Sequence, residues 1–284
     1  MQDNERVIYM KRMVSIQDIS CIGKCSQTIA LPVLSAMGIE TAIIPTAVLS
    51  THTMFPNFTF RDLSDDIPKI AAHWKSLDIS FDAILTGYIG SVEMIDMIAD
   101  FYDSFRTNEN IIVLDPAFAD KGKLYPGFDN KYADAIASLC KKADMIVPNV
   151  TEASIIAGLP YKETYDMDYI DSILDAISAK EISNIIITSV VIDDKNGIAC
   201  RFKDGTSFTY FRDNITSAFH GTGDLFASAF TGALVNNLPL KDAATTAVDY
   251  VYETLKTTLA NNKHNWYGVD FEMTLPYLIN RITK

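Results

Sequence analysis

The 284-residue sequence has few cysteines, few basic residues and no long apolar run. Four cysteines at irregular spacing fit neither a dense disulfide scaffold nor two zinc knuckles, so we expect reduced thiols. With 24 Lys and Arg against 36 Asp and Glu, the net charge of −12 argues against nucleic acid or anionic membranes as partners. No apolar stretch reaches the roughly 18 residues that span a bilayer. We therefore expect a soluble, cytoplasmic protein.

Two common nucleotide-binding motifs are also missing. The sequence contains no Gly-x-x-x-x-Gly-Lys-Ser/Thr, which argues against a P-loop mechanism. No Gly-x-Gly-x-x-Gly follows the first predicted strand, which argues against a Rossmann dehydrogenase. Low-complexity stretches, obvious repeats and Pro/Gly/Ser-rich linkers are absent as well, so we expect residues 1–284 to form a single domain.

Short apolar runs alternate with longer amphipathic segments through the first two thirds of the chain. The runs are β-branched and continuous in apolar character, as strands covered on both faces are. Strands are predicted at residues 12–16, 41–48, 83–86, 111–114, 145–147 and 184–188. Helices are predicted at residues 27–37, 65–76, 92–105, 130–142, 151–158 and 168–179. The alternation predicts an α/β fold whose mainly parallel sheet is flanked by helices and binds ligands at the carboxyl ends of its strands.

The last third of the chain has a different pattern. Segments 198–202 and 207–211 flank Asp204-Gly205, a dipeptide typical of a hairpin turn. Helices are then predicted at residues 222–236, 240–260 and 271–281.

The strongest local motif is His220-Gly221-Thr222-Gly223-Asp224, at the start of the first of these helices. Two glycines allow the backbone to turn sharply and approach a ligand. The unpaired amides and the dipole of the helix N-terminus form an anion site. Asp224 would be a poor neighbour for a phosphate unless it acts as general base for the attacking hydroxyl. A plain capping loop with a favourable first-turn acid is an alternative of equal weight from spacing alone.

Further motifs occur in order along almost the whole chain. They are Ile16-Gln17-Asp18, then Gly23; Thr46 with Ser50-Thr51-His52-Thr53; Thr86-Gly87-Tyr88-Ile89-Gly90-Ser91; Asp115-Pro116; and Pro148-Asn149-x-x-Glu152. Together with the glycine turn, they resemble the ribokinase superfamily and, within it, the pyridoxal/pyridoxine/pyridoxamine kinase family. The resemblance implies a ribokinase-like fold with a small β flap at residues 48–60 and a homodimer. It also implies ATP-dependent phosphorylation of the 5′-hydroxymethyl group of one of these vitamers.

The resemblance assigns a substrate-binding role to polar and aromatic residues near predicted strand ends. Asp18 and Ser20 follow the first predicted strand, and Thr46 ends the second. Tyr88 lies between glycines, which leave its ring room to stack on a pyridine. The residues expected to bind the vitamer are Asp18, Ser20, Thr46, His52 and Tyr88. Local backbone bonding for Asp18, a structural role for His52 and ordinary packing for Tyr88 are the alternatives.

The resemblance places the nucleotide and its metal beside the glycine turn. Asp115 stops the fourth strand, where a carboxylate typically holds Mg²⁺ directly or through water. The residues expected to organise MgATP are Asp115, Asn149, Glu152, Thr188 and Ser189, with Asp115 and Glu152 as metal ligands. Taken alone, Asn149 and Glu152 favour a helix cap with a first-turn glutamate, whereas beside the glycine turn they favour the metal and nucleotide role. A potassium-like ion is implied by the family, although no residue pattern specifies it.

The implied catalytic group is Asp224 with the amides of Gly221, Thr222 and Gly223. Asp224 would take the hydroxyl proton, and the amides would stabilise charge on the transferred phosphoryl group. A hydroxymethylpyrimidine/phosphomethylpyrimidine kinase of thiamine synthesis is the nearest alternative, but such enzymes typically have cysteine at the position of Asp224. A sugar or nucleoside kinase is disfavoured by Tyr88 and His52. A non-catalytic pyridoxal carrier is disfavoured because Asp224 is intact.

Overall fold

The computed structural model describes residues 10–216 and 219–283, and a central β-sheet organises this part of the chain. The strands in chain order are β1 (Arg12–Ser20), β2 (Glu40–Leu49), β3 (Phe60–Asp62), β4 (Ala83–Thr86), β5 (Ile111–Leu114), β6 (Ala119–Asp120), β7 (Lys123–Leu124), β8 (Met145–Ile146), β9 (Ile185–Ile192), β10 (Lys195–Arg201) and β11 (Ser207–Asp213). Nine of them form one sheet in the order β11-β10-β9-β8-β5-β4-β1-β2-β3, and β6 and β7 form a separate ribbon.

The middle of the sheet is parallel and its edges are antiparallel. β2, β1, β4, β5, β8 and β9 pair in parallel, whereas β3, β10 and β11 are antiparallel to their neighbours. The strand order reverses at β1, because the chain goes to β2 on one side and to β4 on the other. Ligands of open α/β sheets bind at such a switch point, beyond the strands' carboxyl ends.

Helices cover both faces of the sheet. They are α1 (Gln27–Ala36), α2 (Ile67–Ser76), α3 (Val92–Phe105), α4 (Asn130–Cys140), α5 (Val150–Ala157), α6 (Met167–Ser178), α7 (Thr222–Val235), α8 (Leu240–Ala260) and α9 (Leu275–Ile282). One core lies under α2 to α6 and the other under α1, α7, α8 and α9. Along β1, Val14 and Ile16 enter the first core and Met13 enters the second, which explains why the strand is apolar without alternation. The predicted fold class is confirmed.

Side-chain caps set several helix starts. Ser91 Oγ accepts a hydrogen bond from the amide of Met94 at 3.2 Å, and Asp129 Oδ1 accepts one from Tyr132 at 3.0 Å. These bonds satisfy amides that the first turn of a helix leaves unpaired. No helix in the described segments is long and apolar enough to cross a membrane.

Three of the strand ends that differ from the prediction lie beside predicted site residues. β1 continues to Ser20 and β2 to Leu49, so Asp18 lies inside β1, Ser20 is its last residue, and Thr46 lies before the end of β2. The reason is pairing: β4 pairs β1 only from Met13 to Ile16, whereas β2 stays paired with β1 to its end, across a register shift.

The third difference is in β9, which runs to Ile192, so Thr188 and Ser189 do not end it. Ser189 has a φ of 56°, and the register with β10 shifts between Gly197 and Ala199. Thr188 and Ser189 therefore occupy a β-bulge, which bends the strand and re-aims its side chains. Asp193 and Asp194, with φ of 48° and 59°, form the turn into β10 that the sequence analysis missed.

Candidate active site

Gly221 makes the turn that leads into α7. Its φ is 83°, and a β-carbon there would lie 2.0 Å from the carbonyl oxygen of Lys24. Both the left-handed backbone and this contact exclude a larger residue. The helix begins at Thr222, and its first amides face the end of the cleft described below. The predicted anion site is thus a helix N-terminus with its backbone held close to Lys24.

Asp224 lies in the first turn of α7 and is half-buried. Removal from water raises the pKa of its carboxyl group to about 6, the amide of Ser26 partly offsets this, and the charge of Asp18 adds to it. A carboxylate with such a pKa is mostly ionised at neutral pH and is a stronger base than an ordinary aspartate. The carboxylate that the sequence predicts as proton acceptor therefore has a basicity suited to that role.

Asp115 follows β5 directly and faces the glycine turn. Its Oδ2 atom lies 3.7 Å from the position that a β-carbon on Gly223 would take. Burial and the charges of Glu152 and Asp224 raise the pKa of Asp115 well above its ordinary value. Negative groups thus converge beside the amides at the start of α7, an arrangement that a cation would relieve.

Asn149 and Glu152 form a complete capping box at the start of α5. Asn149 Oδ1 accepts from the amide of Glu152 at 3.0 Å, and Glu152 Oε2 accepts from the amide of Asn149 at 2.9 Å. Glu152 Oε1 also accepts from the amides of Phe118 and Ala119 at 2.9 and 3.3 Å. The side chain is buried, and burial raises its pKa to about 7. Glu152 thus fixes the loop after Asp115 through backbone bonds.

The acidic side chains near the glycine turn suit a metal ion that takes most of its ligands from water and substrate phosphates. Within residues 10–216 and 219–283, no three His, Cys, Asp or Glu side chains are placed to hold a metal ion together. Mg²⁺ keeps several waters and is usually bound by one or two carboxylates plus substrate phosphates. Asp115 fits that requirement, whereas both oxygens of Glu152 already accept backbone hydrogen bonds.

Four of the residues predicted to bind the ring, Asp18, Ser20, Thr46 and Tyr88, lie at or near the carboxyl ends of β1, β2 and β4. After the Gln17–Pro45 pair the register shifts, so Asp18 on β1 faces the two residues Thr46 and Ala47 on β2. Asp18 is buried, its Oδ2 accepts a 3.3 Å bond from Ser20 Oγ, and burial raises its pKa. Asp18 also adds to the raised pKa of Tyr88, so these two groups lie near each other.

A stack of aromatic rings supports Tyr88. Its ring lies 5.8 Å from that of Phe128, which stacks on Tyr132 at 3.8 Å. The hydroxyl of Tyr132 donates to the carbonyl oxygen of Ile89 at 2.7 Å, so the loop that carries Tyr88 is fixed from behind. Tyr88 itself is only partly buried, so part of its side chain is free to pack against a flat ligand.

His52 belongs to a cluster of rings that joins the predicted flap to the segment after α8. Its ring lies 5.0 Å from Phe55, 5.3 Å from His220 and 5.9 Å from Trp266. Phe55 and Trp266 are 4.6 Å apart. His52 is buried, and its Nδ1 accepts from the amide of Met54 at 3.1 Å. No local pattern predicts this contact, because Trp266 is more than two hundred residues from the flap.

A cleft of about 580 Å³ extends from the glycine turn along β9, β10 and β11 to α8. Thr188, Ser189, Thr222 and Gly223 line it, as the predicted phosphate contacts should. Part of its wall was not predicted from the sequence; it includes Asn196, Arg212, Val248, Val251 and Tyr252. Arg212 lies 4.6 Å from the Tyr252 ring and 3.4 Å from buried Asp249. These residues have ordinary strand and helix patterns, so only the packing of β11 on α8 reveals them.

Comparisons with known proteins agree with this geometry. A family model described as phosphomethylpyrimidine kinase matches residues 31–268. The chain is 30% identical to the pyridoxal kinase of Arabidopsis thaliana over 272 residues, which are 90% of this chain and 85% of that protein. The crystal structure of pyridoxal kinase from Lactobacillus plantarum superimposes with a TM-score of 0.88 at 33% identity, covering 96% of this chain and 98% of that one.

A second solved structure comes from Bacteroides thetaiotaomicron. It is a candidate phosphomethylpyrimidine kinase in a crystal form with pyridoxal, with a TM-score of 0.89, 35% identity and coverage of 95% of this chain and 96% of that one. The matches and the site define a ribokinase-like kinase of small molecules. The chain belongs to the pyridoxal kinase family, within the broader group that the phosphomethylpyrimidine kinase model describes. The family expected from the motifs is confirmed.

Proposed function

We propose that this protein is a pyridoxal kinase, which transfers the γ-phosphoryl group of ATP to the 5′-hydroxymethyl group of pyridoxal, pyridoxine or pyridoxamine. The observation that carries the proposal is the position of Asp224. It follows Gly223, which lines one end of the long cleft, and its carboxyl group interacts electrostatically with Asp18, one of the predicted ring-binding residues. A base between the two substrates is what in-line phosphoryl transfer to a hydroxyl requires. The relatives named for pyridoxal support the same acceptor.

In this mechanism Asp224 removes the hydroxyl proton as the phosphoryl group is transferred. Its raised pKa keeps it ionised at neutral pH and makes it a better base than an exposed aspartate. The amides of Gly221, Thr222 and Gly223 face the phosphoryl group and stabilise its charge without reorganisation, because the turn is held rigidly against Lys24. Positioning and electrostatics carry most of the catalysis in such reactions.

On the vitamer side, Asp18 and Ser20 bind a polar ring substituent, and Thr46 on the neighbouring strand adds a hydroxyl group. The ring of Tyr88 packs against the pyridine, with Phe128 behind it. His52 holds the flap over the site through its contacts with Phe55 and Trp266. In this proposal the ring cluster closes the site to water, which is the role expected of the flap at residues 48–60.

On the nucleotide side, Thr188 and Ser189 contact the phosphates or ribose. Asp115 would hold Mg²⁺, and Glu152 would act on it through water while it caps α5 with Asn149. The ion, when bound, neutralises the phosphate oxygens. A monovalent cation remains a prediction from the family resemblance alone.

The proposal also includes a single domain, a homodimer and a cytoplasmic location. One continuous sheet through the described residues supports the single domain. Phe58 and Phe60 are exposed near the edge strand β3, which supports a contact with a second copy there. Four unpaired cysteine thiols support a reducing compartment.

A hydroxymethylpyrimidine/phosphomethylpyrimidine kinase is the second candidate, because the matching family model carries that description. Release of ADP with pyridoxal, pyridoxine, pyridoxamine, hydroxymethylpyrimidine and ribose decides between them, with a reaction lacking acceptor as background. We expect at least one B6 vitamer to be turned over with the highest kcat/KM. A higher value for hydroxymethylpyrimidine would favour the second candidate, and a higher value for ribose would exclude both.

A further inference from the structure

Lys24 joins the segment between β1 and α1 to the segment that follows α8. Its Nζ atom lies 3.1 Å from Asp270 Oδ1 and 2.8 Å from Glu272 Oε2, and its side chain is only 14% exposed. The stem of the side chain packs on Gly268, where a β-carbon would lie 2.4 Å from Lys24 Cβ. The two acceptors outweigh burial and raise the pKa of Lys24, so the ammonium group stays charged.

The acceptor side of this contact is itself fixed. Asp270 Oδ2 accepts from Asn261 Nδ2 at 2.7 Å, and the amide of Asp270 donates to Thr258 Oγ1 at 2.8 Å. Asp270 and Thr258 are buried, and Thr258 belongs to α8. The ammonium of Lys24 is therefore held against a rigid part of the fold rather than against a surface loop. Buried charged pairs of this kind impose a defined geometry more than they add stability.

The backbone of Lys24 contacts the catalytic turn. Its carbonyl oxygen is the atom that a β-carbon on Gly221 would meet at 2.0 Å. Two residues later, Ser26 has φ 49° and ψ −129°, an unfavourable conformation for a residue with a side chain, and its amide stabilises the ionised carboxylate of Asp224. Strained backbone of this kind persists only where its surroundings fix it.

We propose that Lys24 is a positioning residue: its ion pairs with Asp270 and Glu272 hold residues 24–26 against Gly221, so that the Ser26 amide keeps Asp224 aimed at the acceptor hydroxyl. The proposal rests on the proposed function, because it assigns Asp224 the role of general base. Lys24 acts through the backbone and touches neither substrate.

The kinetic test compares Lys24→Met, which removes the charge but keeps the stem, with Lys24→Arg and Lys69→Met. Lys69→Met is the matched control, because it breaks an exposed ion pair with Asp66 at 3.0 Å. We expect Lys24→Met to lower kcat by about 10- to 100-fold with a nearly unchanged KM for ATP, since small misplacements of reacting groups cost that much. Lys24→Arg should recover most of the kcat, and Lys69→Met should match the wild type. A wild-type kcat for Lys24→Met would overturn the proposal.

A double-mutant cycle separates positioning from general loss of structure. In the Asp224→Asn background, Lys24→Met should lower kcat by less than about twofold, because the group that Lys24 positions is already disabled. An equal loss in both backgrounds would show that Lys24 does not act through Asp224, and it would contradict the proposal.

Thiol labelling tests the same contact without using activity. Cys25 is half-buried next to Lys24, whereas Cys21 is exposed and serves as the internal reference. We expect Lys24→Met to speed alkylation of Cys25 relative to Cys21, with Lys24→Arg and Lys69→Met unchanged. Loss of the Lys24 charge would by itself disfavour the Cys25 thiolate and slow its alkylation. Faster alkylation of Cys25 would therefore report release of residues 24–26.

The two readouts distinguish the two hypotheses. If the wild type phosphorylates none of the vitamers, the proposed function is wrong, and labelling still decides whether Lys24 holds the segment. Unchanged labelling of Cys25 in Lys24→Met would overturn the inference whatever the activity. Faster labelling of Cys25 with a normal kcat would also overturn it, because release of residues 24–26 would then have no effect on catalysis by Asp224.

Discussion

Asn149 and Glu152 cap each other: each side chain accepts a hydrogen bond from the other residue's amide, at 3.0 Å and 2.9 Å. The two further amide bonds from Phe118 and Ala119 connect this cap to the loop that follows Asp115. The capping interpretation of the Asn-x-x-Glu motif is therefore correct in geometry. Any effect of Glu152 on the metal would act in addition to that structural role.

Glu152→Gln is expected to destabilise the protein, because an amide group in place of one oxygen cannot accept from the backbone. Loss of bonds at a buried, charged acceptor typically costs about 1–3 kcal/mol of unfolding free energy. The kcat/KM for MgATP should fall, while the affinity for pyridoxal should stay near that of the wild type. Thermal melts and a pyridoxal titration check this, with exposed Glu163→Gln as the control. Equal stability and unchanged magnesium dependence would remove Glu152 from both roles.

Gly221→Ala is expected to cost more than Gly205→Ala, although φ is 83° at one and 82° at the other. An added β-carbon at Gly205 meets nothing within 4 Å, whereas at Gly221 it meets the Lys24 carbonyl at 2.0 Å. Gly205→Ala should lose roughly 1 kcal/mol of unfolding free energy from its left-handed backbone alone, and Gly221→Ala should lose more. Urea unfolding and kcat measure both effects. Similar losses would mean that the turn adjusts and that close contact is not required.

The raised carboxyl pKa values make stability depend on pH in a defined direction. Asp224 and Glu152 have pKa values of about 6 and about 7 in the folded protein, above their ordinary 3.8 and 4.5. The native state thus binds these protons more tightly than the unfolded state, and their effect on stability is unfavourable once they ionise. As pH rises from about 4 to about 7, Asp224→Asn should become more stable relative to the wild type. A pH-independent difference in urea midpoint would show that the Asp224 pKa is ordinary.

The same group should set the acid limb of the rate profile. The base must be ionised, so kcat/KM for pyridoxal should fall about tenfold per pH unit below the pKa of Asp224, near 6. Glu152 has a pKa of about 7, so the variant Glu152→Gln tests which of the two carboxylates sets this limb. If Asp224 sets it, the limb should stay near 6 in Glu152→Gln. Loss of the limb in this variant would assign it to Glu152.

Much of the fold could be predicted because local pattern and final structure agree. The strand Ala83–Thr86 and the helices Val92–Phe105 and Leu240–Ala260 have their predicted bounds. In each of them, apolar periodicity ends at turn or capping residues. The glycine turn, Asp224 and Asp115 were also found from sequence, since a turn that needs positive φ and a carboxylate at a strand end leave local signals.

What could not be predicted depends on contacts between distant segments. The extension of β1 to Ser20 needs its pairing with β2, and the ring cluster needs Phe55 beside Trp266. Lys24 and Asp270 are 246 residues apart, and neither belongs to a recognisable motif. One wall of the cleft forms where Arg212 packs on Tyr252. Long-range pairing of this kind has no period or spacing that a single sequence displays.

The kcat of Asp224→Asn with pyridoxal and MgATP tests the central claim most directly, because asparagine keeps the size of the side chain but cannot act as a base. A general base contributes about 10²- to 10⁴-fold, so we expect a kcat loss of that order. Affinity for the nucleotide should stay the same or improve, since a negative charge beside the phosphates is removed. A thermal melt controls for loss of structure. Near-wild-type turnover of the Asn variant would contradict the account and leave Asp224 as a helix-capping residue.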